Sequence, residues 1–258
     1  NNKTPQELEA AIKAGIGRIV VDGLYELTLL DELAGSVGIK QDIMLRLSPG
    51  VDPHTHAKTT TGILDSKFGI SIDTGDARQA MMQALAAQNL ELVGLHCHLG
   101  SPIFELEPYS IAIDTMLSFA AEFKSEGFVL REFSPGGGFA IGYVMSQPPP
   151  KIAQYAEAIT KTLKTRSEEL GLGEPQLVVE PGRSIVGRAG VALYSVGAVK
   201  TIPTIRKYVS LDGGMGDNIR PALYDSSYEA VVANRPLSPP EETVTLVGKF
   251  CESGDYLI

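Results

Sequence analysis

Short apolar runs alternate with longer amphipathic segments up to about residue 180. The runs are rich in Val, Ile and Leu, whereas in the longer segments apolar residues recur every three to four positions. This alternation is typical of parallel strands joined by helices that cover the sheet. The predicted strands are 17–22, 43–48, 92–98, 133–136 and 176–180. The predicted helices are 4–14, 25–34, 76–87, 109–124 and 152–170.

The pattern changes near residue 185. Apolar runs at 191–199, 208–212 and 244–249 are separated by turns, with no long helical period between them. We therefore predict an α/β domain over 1–184 and a mostly β domain over 185–258. A (β/α)8 barrel of the TIM type needs about eight parallel strands, and only about five precede the β domain. We expect a barrel that lacks its first strands.

Composition and charge exclude several classes of protein. A chain of 258 residues with 43% hydrophobic and 21% charged residues has the composition of a globular protein. Its net charge of −9 disfavours binding to nucleic acid or to an anionic membrane surface. Cys97 and Cys251 are too few for a disulfide framework, which favours a reducing cytoplasm. No apolar run approaches the roughly 20 residues of a membrane span.

Two histidines lie at the end of the predicted strand 92–98. Strand alternation places His96 and His98 on one face and Cys97 on the other, at the strand ends where barrel enzymes have their active sites. The pair could bind a metal ion, one ring could stack on an aromatic cofactor, or a ring could be a hydrogen-bonded core histidine. All four histidines lie between His54 and His98, so no later histidine completes a metal site.

Two further polar segments follow predicted strands. In residues 134–139, Ser-Pro-Gly-Gly-Gly-Phe, consecutive glycines let backbone N–H groups approach an anion, although a turn without a ligand is an alternative. Glu180-Pro181-Gly182-Arg183 places a carboxylate and a guanidinium at the same strand ends. The carboxylate suits a protonated pyridine nitrogen and the guanidinium suits a phosphate or carboxylate, unless the two form an ion pair within a turn.

The predicted β domain carries two polar segments of its own. Residues 212–224 are Gly-rich and follow a strand, which is typical of a binding loop, and Arg220 is a candidate to bind a carboxylate. Cys251 is followed by Glu252 and, soon after, by Asp255. The thiol could donate a proton, or it could be an ordinary packing residue.

Taken together, these segments resemble the fold-type III pyridoxal-phosphate decarboxylases, and among them the diaminopimelate branch. The resemblance spans nearly the whole chain. The matching segments are Asn1-Asn2-Lys3, Thr61-Gly62, Ser66-Lys67-Phe68-Gly69, His96-Cys97-His98, Gly136-Gly137-Gly138-Phe139, Glu180-Pro181-Gly182-Arg183, Arg220-Pro221-Ala222-Leu223-Tyr224 and Cys251-Glu252-Ser253-Gly254-Asp255.

The resemblance implies an alanine-racemase-like barrel that binds pyridoxal 5′-phosphate, with His98 stacked on the pyridine ring and Glu180 against the ring nitrogen. It implies a phosphate site formed by Ser101, Gly137, Gly138, Pro181, Gly182 and Arg183. It implies substrate binding by Arg183, Arg220, Tyr224 and Glu252. Cys251 would donate a proton, and a homodimer would share its active sites, with Cys251 and Glu252 reaching across from the partner subunit. The implied reaction converts meso-2,6-diaminopimelate to L-lysine and CO₂ in lysine biosynthesis.

Departures from the family pattern keep alternatives open. No lysine here has the Tyr-Ala-x-Lys-Ala-Asn-like neighbourhood of the family's Schiff-base lysine, and the chain stops at Ile258, before a tyrosine that the family places later. We expect a piece truncated at both ends and inactive by itself. The alternatives are an ornithine, arginine or carboxynorspermidine decarboxylase, a non-catalytic relative, and a metal-dependent hydrolase.

Overall fold

The computed structural model describes residues 1–52 and 65–258, in which the chain forms two compact units. The first unit consists of residues 1–140 and 150–184, and the second of residues 141–149 and 185–258. The Thr61-Gly62 segment, His54 and His56 lie outside the described residues. In the part of the chain that the structure describes, none of the helices has both the length and the apolar character that a membrane span requires.

The first unit has an α/β fold built on a parallel sheet. Its strands are β1 (Ile19–Val21), β2 (Gln41–Ser48), β3 (Ile70–Ser71), β4 (Leu90–His96), β5 (Glu132–Ser134) and β6 (Gln176–Leu177). The sheet order is β1-β2-β4-β5-β6, with β3 paired to β2, and every pair is parallel. All five predicted strands are present, although β4 ends at His96 rather than at residue 98. The short strand β3 was not predicted.

Helices connect these strands as the periodicity predicts. They are α1 (Pro5–Lys13), α2 (Leu24–Val37), α3 (Asp76–Ala86), α4 (Glu107–Ala121) and α5 (Ile152–Leu170). The Thr4 hydroxyl accepts the backbone N–H of Glu7, and the Glu7 carboxylate accepts the backbone N–H of Thr4, which fixes the start of α1. The αL glycine Gly38, with a φ of 74°, ends α2.

Tyr109 of α4, Tyr155 of α5 and Phe139 form a buried aromatic cluster next to the glycine-rich loop after β5. Tyr109, Phe139 and Tyr155 lie with ring centroids 5.1 to 5.9 Å apart. The Tyr109 hydroxyl donates to the carbonyl of Gly137 at 2.7 Å, and the Tyr155 hydroxyl donates to the carbonyl of Ile103 at 2.5 Å. The loop therefore rests on groups whose positions the core determines.

The parallel sheet is strongly curved. The Arg18 guanidinium, one residue before β1, makes two hydrogen bonds to the carboxylate of Glu132 on β5, although β2 and β4 lie between them. Three strand spacings separate β1 from β5 by about 14 Å in a flat sheet, and side chains stand roughly perpendicular to that sheet. A sheet curved toward the side that carries Arg18 and Glu132 brings the two side chains within reach.

The second unit contains a three-stranded sheet and little helix. Its strands are β7 (Val196–Ile202), β8 (Arg206–Leu211) and β9 (Thr245–Val247), and the short helices here are α6 (Gly182–Val186), which begins in the first unit, and α7 (Arg220–Tyr224). β7 pairs antiparallel with β8, and β9 pairs parallel with β8. The predicted strand 191–199 starts five residues before the start of β7 and ends three residues before its end. β7 continues to the turn that contains Thr204, with a φ of 63°, and this turn leads into the antiparallel partner β8.

Candidate active site

The carboxyl ends of β4, β5 and β6 bring three of the predicted segments together. Because neighbouring parallel strands point the same way, His96, the loop after Ser134 and Glu180 meet at one edge of the sheet. A cavity of about 280 Å³ opens at this edge. Its lining residues are Asn1, Lys3, Val20, Arg46, His96, His98 and Glu180. Both histidines face this cavity, as the strand alternation predicted.

The glycine-rich loop packs so closely that side chains do not fit. A Cβ atom on Gly137 would lie 2.1 Å from the backbone oxygen of Glu180, and one on Gly138 would lie 2.3 Å from that of Gly100. Gly136 and Gly138 also have positive φ angles of 75° and 92°. Glycine is therefore required at Gly137 and Gly138 for space and at Gly136 and Gly138 for conformation.

His98 is held as a neutral ring. Its Nδ1 accepts the backbone N–H of Gly137 at 3.2 Å, so the ring proton of the neutral form is on Nε2. Burial, with a smaller contribution from the nearby positive charge of Arg46, lowers the pKa of His98 to about 4. The preceding Cys97 is fully buried, and burial raises the pKa of its thiol to about 12. The ring of His98 is thus uncharged at neutral pH, and the Cys97 thiol is unreactive.

Glu180 is an ionised carboxylate at the mouth of the cavity. Its Oε1 lies 2.9 Å from Nε2 of the buried His96. This hydrogen bond is the main cause that lowers the pKa of Glu180, and the positive charge of Arg46 contributes in the same direction. The partnership of His96 and Glu180 was missed in the sequence, because 84 residues separate the two and no local spacing connects them.

Two cations complete the lining of the cavity. The Arg46 guanidinium on β2 lies 3.5 Å from the carboxylate of Asp22 and 4.9 Å from the ring centroid of Phe68. The Nζ of Lys3 donates to the carbonyl of Val20 and to the carboxylate of Glu26, both at 2.6 Å, and to the carbonyl of Asn1 at 3.1 Å. These three bonds use all three protons of the ammonium group.

The remaining predicted residues of the first unit, Ser101, Pro181, Gly182 and Arg183, each take part in a hydrogen bond. The Arg183 Nε donates to the Ser101 hydroxyl at 3.0 Å. The Gly182 N–H donates to the carbonyl of Glu180 at 2.9 Å, and the Ser184 hydroxyl donates to that of Pro181 at 2.9 Å. A guanidinium beside a hydroxyl suits a phosphate. Within residues 1–52 and 65–258, no three His, Cys, Asp or Glu side chains are grouped to hold a metal ion.

In the second unit, tyrosines surround Arg220. Its Nε lies 3.0 Å from the hydroxyl of Tyr228 and its Nη2 lies 3.2 Å from that of Ser226. The guanidinium carbon lies 5.4 Å from the ring centroid of Tyr224 and 5.8 Å from that of Tyr143. The predicted pair Arg220 and Tyr224 is therefore brought together, and the guanidinium is oriented by its aromatic neighbours.

A single buried carboxylate joins the two polar segments of the second unit. Asp255 accepts the backbone N–H of Met215 at 2.6 Å through Oδ1 and that of Phe250 at 2.9 Å through Oδ2. Cys251 and Glu252 lie between Phe250 and Asp255 and are exposed. The sequence singled out Cys251 as a candidate proton donor, and the structure adds that Asp255 fixes the segment that carries it.

The groups of the first unit fit a flat, phosphate-bearing heteroaromatic cofactor. A neutral ring and an ionised carboxylate line one cavity, and a glycine-rich loop is hydrogen-bonded to that ring. The Arg183–Ser101 pair suits a phosphate. The model of the family described as "Pyridoxal-dependent decarboxylase, pyridoxal binding domain" matches residues 1–187. The chain belongs to this family, which assigns pyridoxal phosphate as its cofactor.

Its relatives point to one branch of the family. The chain is 44% identical to the diaminopimelate decarboxylase of Bacillus subtilis and 42% identical to that of Mycobacterium tuberculosis, in each case over its whole length. It superimposes on the diaminopimelate decarboxylase of Helicobacter pylori complexed with L-lysine with a TM-score of 0.87 at 31% identity, covering 100% of this chain and 61% of that one. The chain spans 59% and 60% of the two curated relatives.

Proposed function

We propose that this chain is the cofactor-binding part of a diaminopimelate decarboxylase, which converts meso-2,6-diaminopimelate to L-lysine and CO₂ in the last step of lysine biosynthesis. The observation that carries the proposal is the convergence of Glu180 and His98 on one cavity beside the glycine-rich loop. Identities of 40% to 44% to curated diaminopimelate decarboxylases support the choice of substrate.

In this proposal, the residues of the first unit bind and orient the cofactor. The neutral ring of His98 stacks on the pyridine ring without adding charge, and the ionised Glu180 pairs with the protonated ring nitrogen. A phosphate site is formed by Ser101, Gly137, Gly138, Pro181, Gly182 and Arg183. When bound, pyridoxal phosphate supplies an electron sink for the electron pair left on the α-carbon as CO₂ departs.

Arg183 of the first unit and three residues of the second unit are proposed to bind the far end of the substrate, and a thiol of the second unit is proposed to move a proton. Arg183, Arg220 and Tyr224 suit a distal carboxylate, and Glu252 suits a distal ammonium. This combination favours an amino-acid group at the far end over the bare amine of ornithine. The Sγ of Cys251 delivers a proton to the α-carbon. Cys251 and Glu252 act in the active site of the partner subunit of a homodimer.

We also propose that the curved sheet of the first unit is part of a (β/α)8 barrel. The Arg18–Glu132 contact between β1 and β5 supports this curvature. A second support is that Val20 of β1 and Glu180, which follows β6, line the same cavity from opposite ends of the strand order. The cytoplasmic location stays a prediction from the cysteine content.

The test uses the gene that carries this chain, expressed from its own start codon to its own stop codon. The purified protein is supplied with pyridoxal phosphate and assayed with meso-diaminopimelate, L-ornithine, L-arginine and carboxynorspermidine, with L-lysine and CO₂ measured as products. We expect lysine from diaminopimelate alone. Glu180→Gln should abolish it, whereas Glu122→Gln, at the exposed residue that follows α4, should not.

The outcomes separate the alternatives. Faster decarboxylation of one of the other three compounds would identify that compound, and not diaminopimelate, as the substrate. Cofactor binding without product from any of the four would favour a non-catalytic relative.

A further inference from the structure

One buried side chain of the site has no role in the function proposed above. His96 is only 4% exposed, and burying an imidazole is unfavourable unless its polar atoms are paired. Its Nε2 meets Glu180 Oε1 at 2.9 Å. Its Nδ1 is buried and has no hydrogen-bond partner among the described residues. The ring therefore makes one polar contact, and that contact is with Glu180.

The donor and the acceptor of the His96–Glu180 hydrogen bond can be assigned. An ionised carboxylate only accepts hydrogen bonds, so Nε2 of His96 must carry the donated proton. A second proton on Nδ1 would be a buried donor without an acceptor, and it would add positive charge beside Arg46, the residue paired with His96 across β2 and β4. The geometry thus assigns the neutral form with its proton on Nε2.

The two partners differ in how firmly they are held. Backbone pairing with Arg46 on β2 and with Ser134 on β5 fixes His96 on both sides. The side chain of Glu180 is 50% exposed, and a glutamate has several rotatable bonds whose freedom is lost on ordering. His96 is the rigid partner, and Glu180 is the one whose orientation depends on the contact.

We propose that His96 is a positioning residue that holds one oxygen of Glu180, leaving the other oxygen to pair with the pyridine nitrogen of the bound cofactor. The role rests on the proposed function, because the cofactor provides that nitrogen. His96 itself touches neither cofactor nor substrate in this proposal and acts through Glu180.

Two amide variants test the role. A glutamine at position 96 places its amide N–H₂ near the position of Nε2, whereas an asparagine places it near that of Nδ1 and does not reach Glu180. His96→Gln and His96→Asn are therefore matched in chemistry and differ in reach. The natural full-length chain is used throughout, and far-UV circular dichroism checks that each variant is folded.

The first measurement needs no cofactor. A ¹³C NMR titration of the Glu180 carboxylate is expected to show a higher midpoint in His96→Asn than in wild type, with the wild-type value largely retained in His96→Gln. An unchanged midpoint in His96→Asn would overturn the positioning role.

The second measurement uses pyridoxal phosphate labelled with ¹⁵N in its ring. We expect a protonated ring nitrogen in wild type and His96→Gln, loss of that proton in His96→Asn, and about tenfold weaker cofactor binding in His96→Asn. In the Glu180→Gln background, His96→Asn should cause no further loss of affinity. An additive loss would show that His96 acts independently of Glu180 and would overturn the role.

Failure of the proposed function gives a different result. In that case the Glu180 midpoint would shift in His96→Asn as expected, but wild type would bind no pyridoxal phosphate. That result would leave the His96–Glu180 contact established and would overturn its link to a cofactor.

Discussion

Substituting alanine at Gly137 tests how tightly the cofactor loop is packed. The added Cβ would lie 2.1 Å from the backbone oxygen of Glu180, which cannot rotate away as a side chain could. Gly137 is also bonded to His98 through its N–H and to Tyr109 through its carbonyl, so its own backbone has little room to shift. We therefore expect a destabilisation of about 2 kcal/mol, within the range for overpacked sites.

Gly182→Ala is the matched control. No atom lies within 4 Å of a Cβ built at Gly182, which begins the short helix α6. Alanine at this position should leave the free energy of unfolding unchanged or raise it by up to about 1 kcal/mol. The reason is that alanine has fewer backbone conformations than glycine in the unfolded chain and a higher helix propensity.

Urea unfolding followed by far-UV circular dichroism measures both variants, since the chain contains no tryptophan. With a denaturant dependence of about 2 kcal/mol per molar, a loss of about 2 kcal/mol lowers the midpoint by roughly 1 M. An unchanged midpoint for Gly137→Ala, or equal shifts for the two variants, would refute the steric argument.

Three further predictions follow from charges and burial. The pKa of His98 in the folded chain is lowered to about 4, so only the unfolded chain gains a proton as the pH falls below about 6.5. Compared with His98→Asn, the free energy of unfolding should therefore fall by about 1.4 kcal/mol per pH unit from pH 6.5 toward pH 4. Urea midpoints that differ equally from those of His98→Asn across this range would contradict the prediction. Arg18→Met should lower the free energy of unfolding by about 3 kcal/mol, because it leaves the Glu132 carboxylate buried and unpaired. The double variant with Glu132→Gln should recover part of that loss, and additive losses in urea unfolding would argue against the pair. A thiol reagent should modify Cys251 in the native chain and Cys97 only after unfolding, with Cys251→Ser as control; equal native rates would be inconsistent with the burial of Cys97.

Sequence periodicity was sufficient to predict helices α1 to α5 and five of the six strands of the first unit. Helix α5 was predicted with the bounds that the structure gives it, because its apolar positions recur regularly and Gly171 ends it. The two-residue strand β3 was missed because Ile70–Ser71 is too short to show a period. The start of β7 was misplaced because residues 191–195 are as apolar as a strand, and only the antiparallel register with β8 decides which residues pair.

The candidate site was predictable only in part. Gly137, Gly138, Glu180 and His98 belong to local segments that follow strands, so the sequence identifies them without any knowledge of the fold. His96 and Arg46 could not be assigned in this way, since their relation to Glu180 arises from the pairing of strands far apart in the chain. Local motifs therefore indicate candidate ligand-binding groups, whereas the contacts that these groups make with residues far away in the chain require tertiary structure.

Asp255 sets a limit on how the second unit can be redesigned. Its two oxygens hold segments about 35 residues apart in the chain, at Met215 and Phe250, and glycines at 214 and 248 make room for its carboxylate. A graft that replaced residues 212–224 alone would have to preserve the backbone N–H at position 215 that Asp255 accepts and the space that Gly214 leaves for its carboxylate. Exchanging that loop and residues 248–255 together keeps donors and acceptor matched, so the two segments form the smallest unit that engineering can usefully transplant.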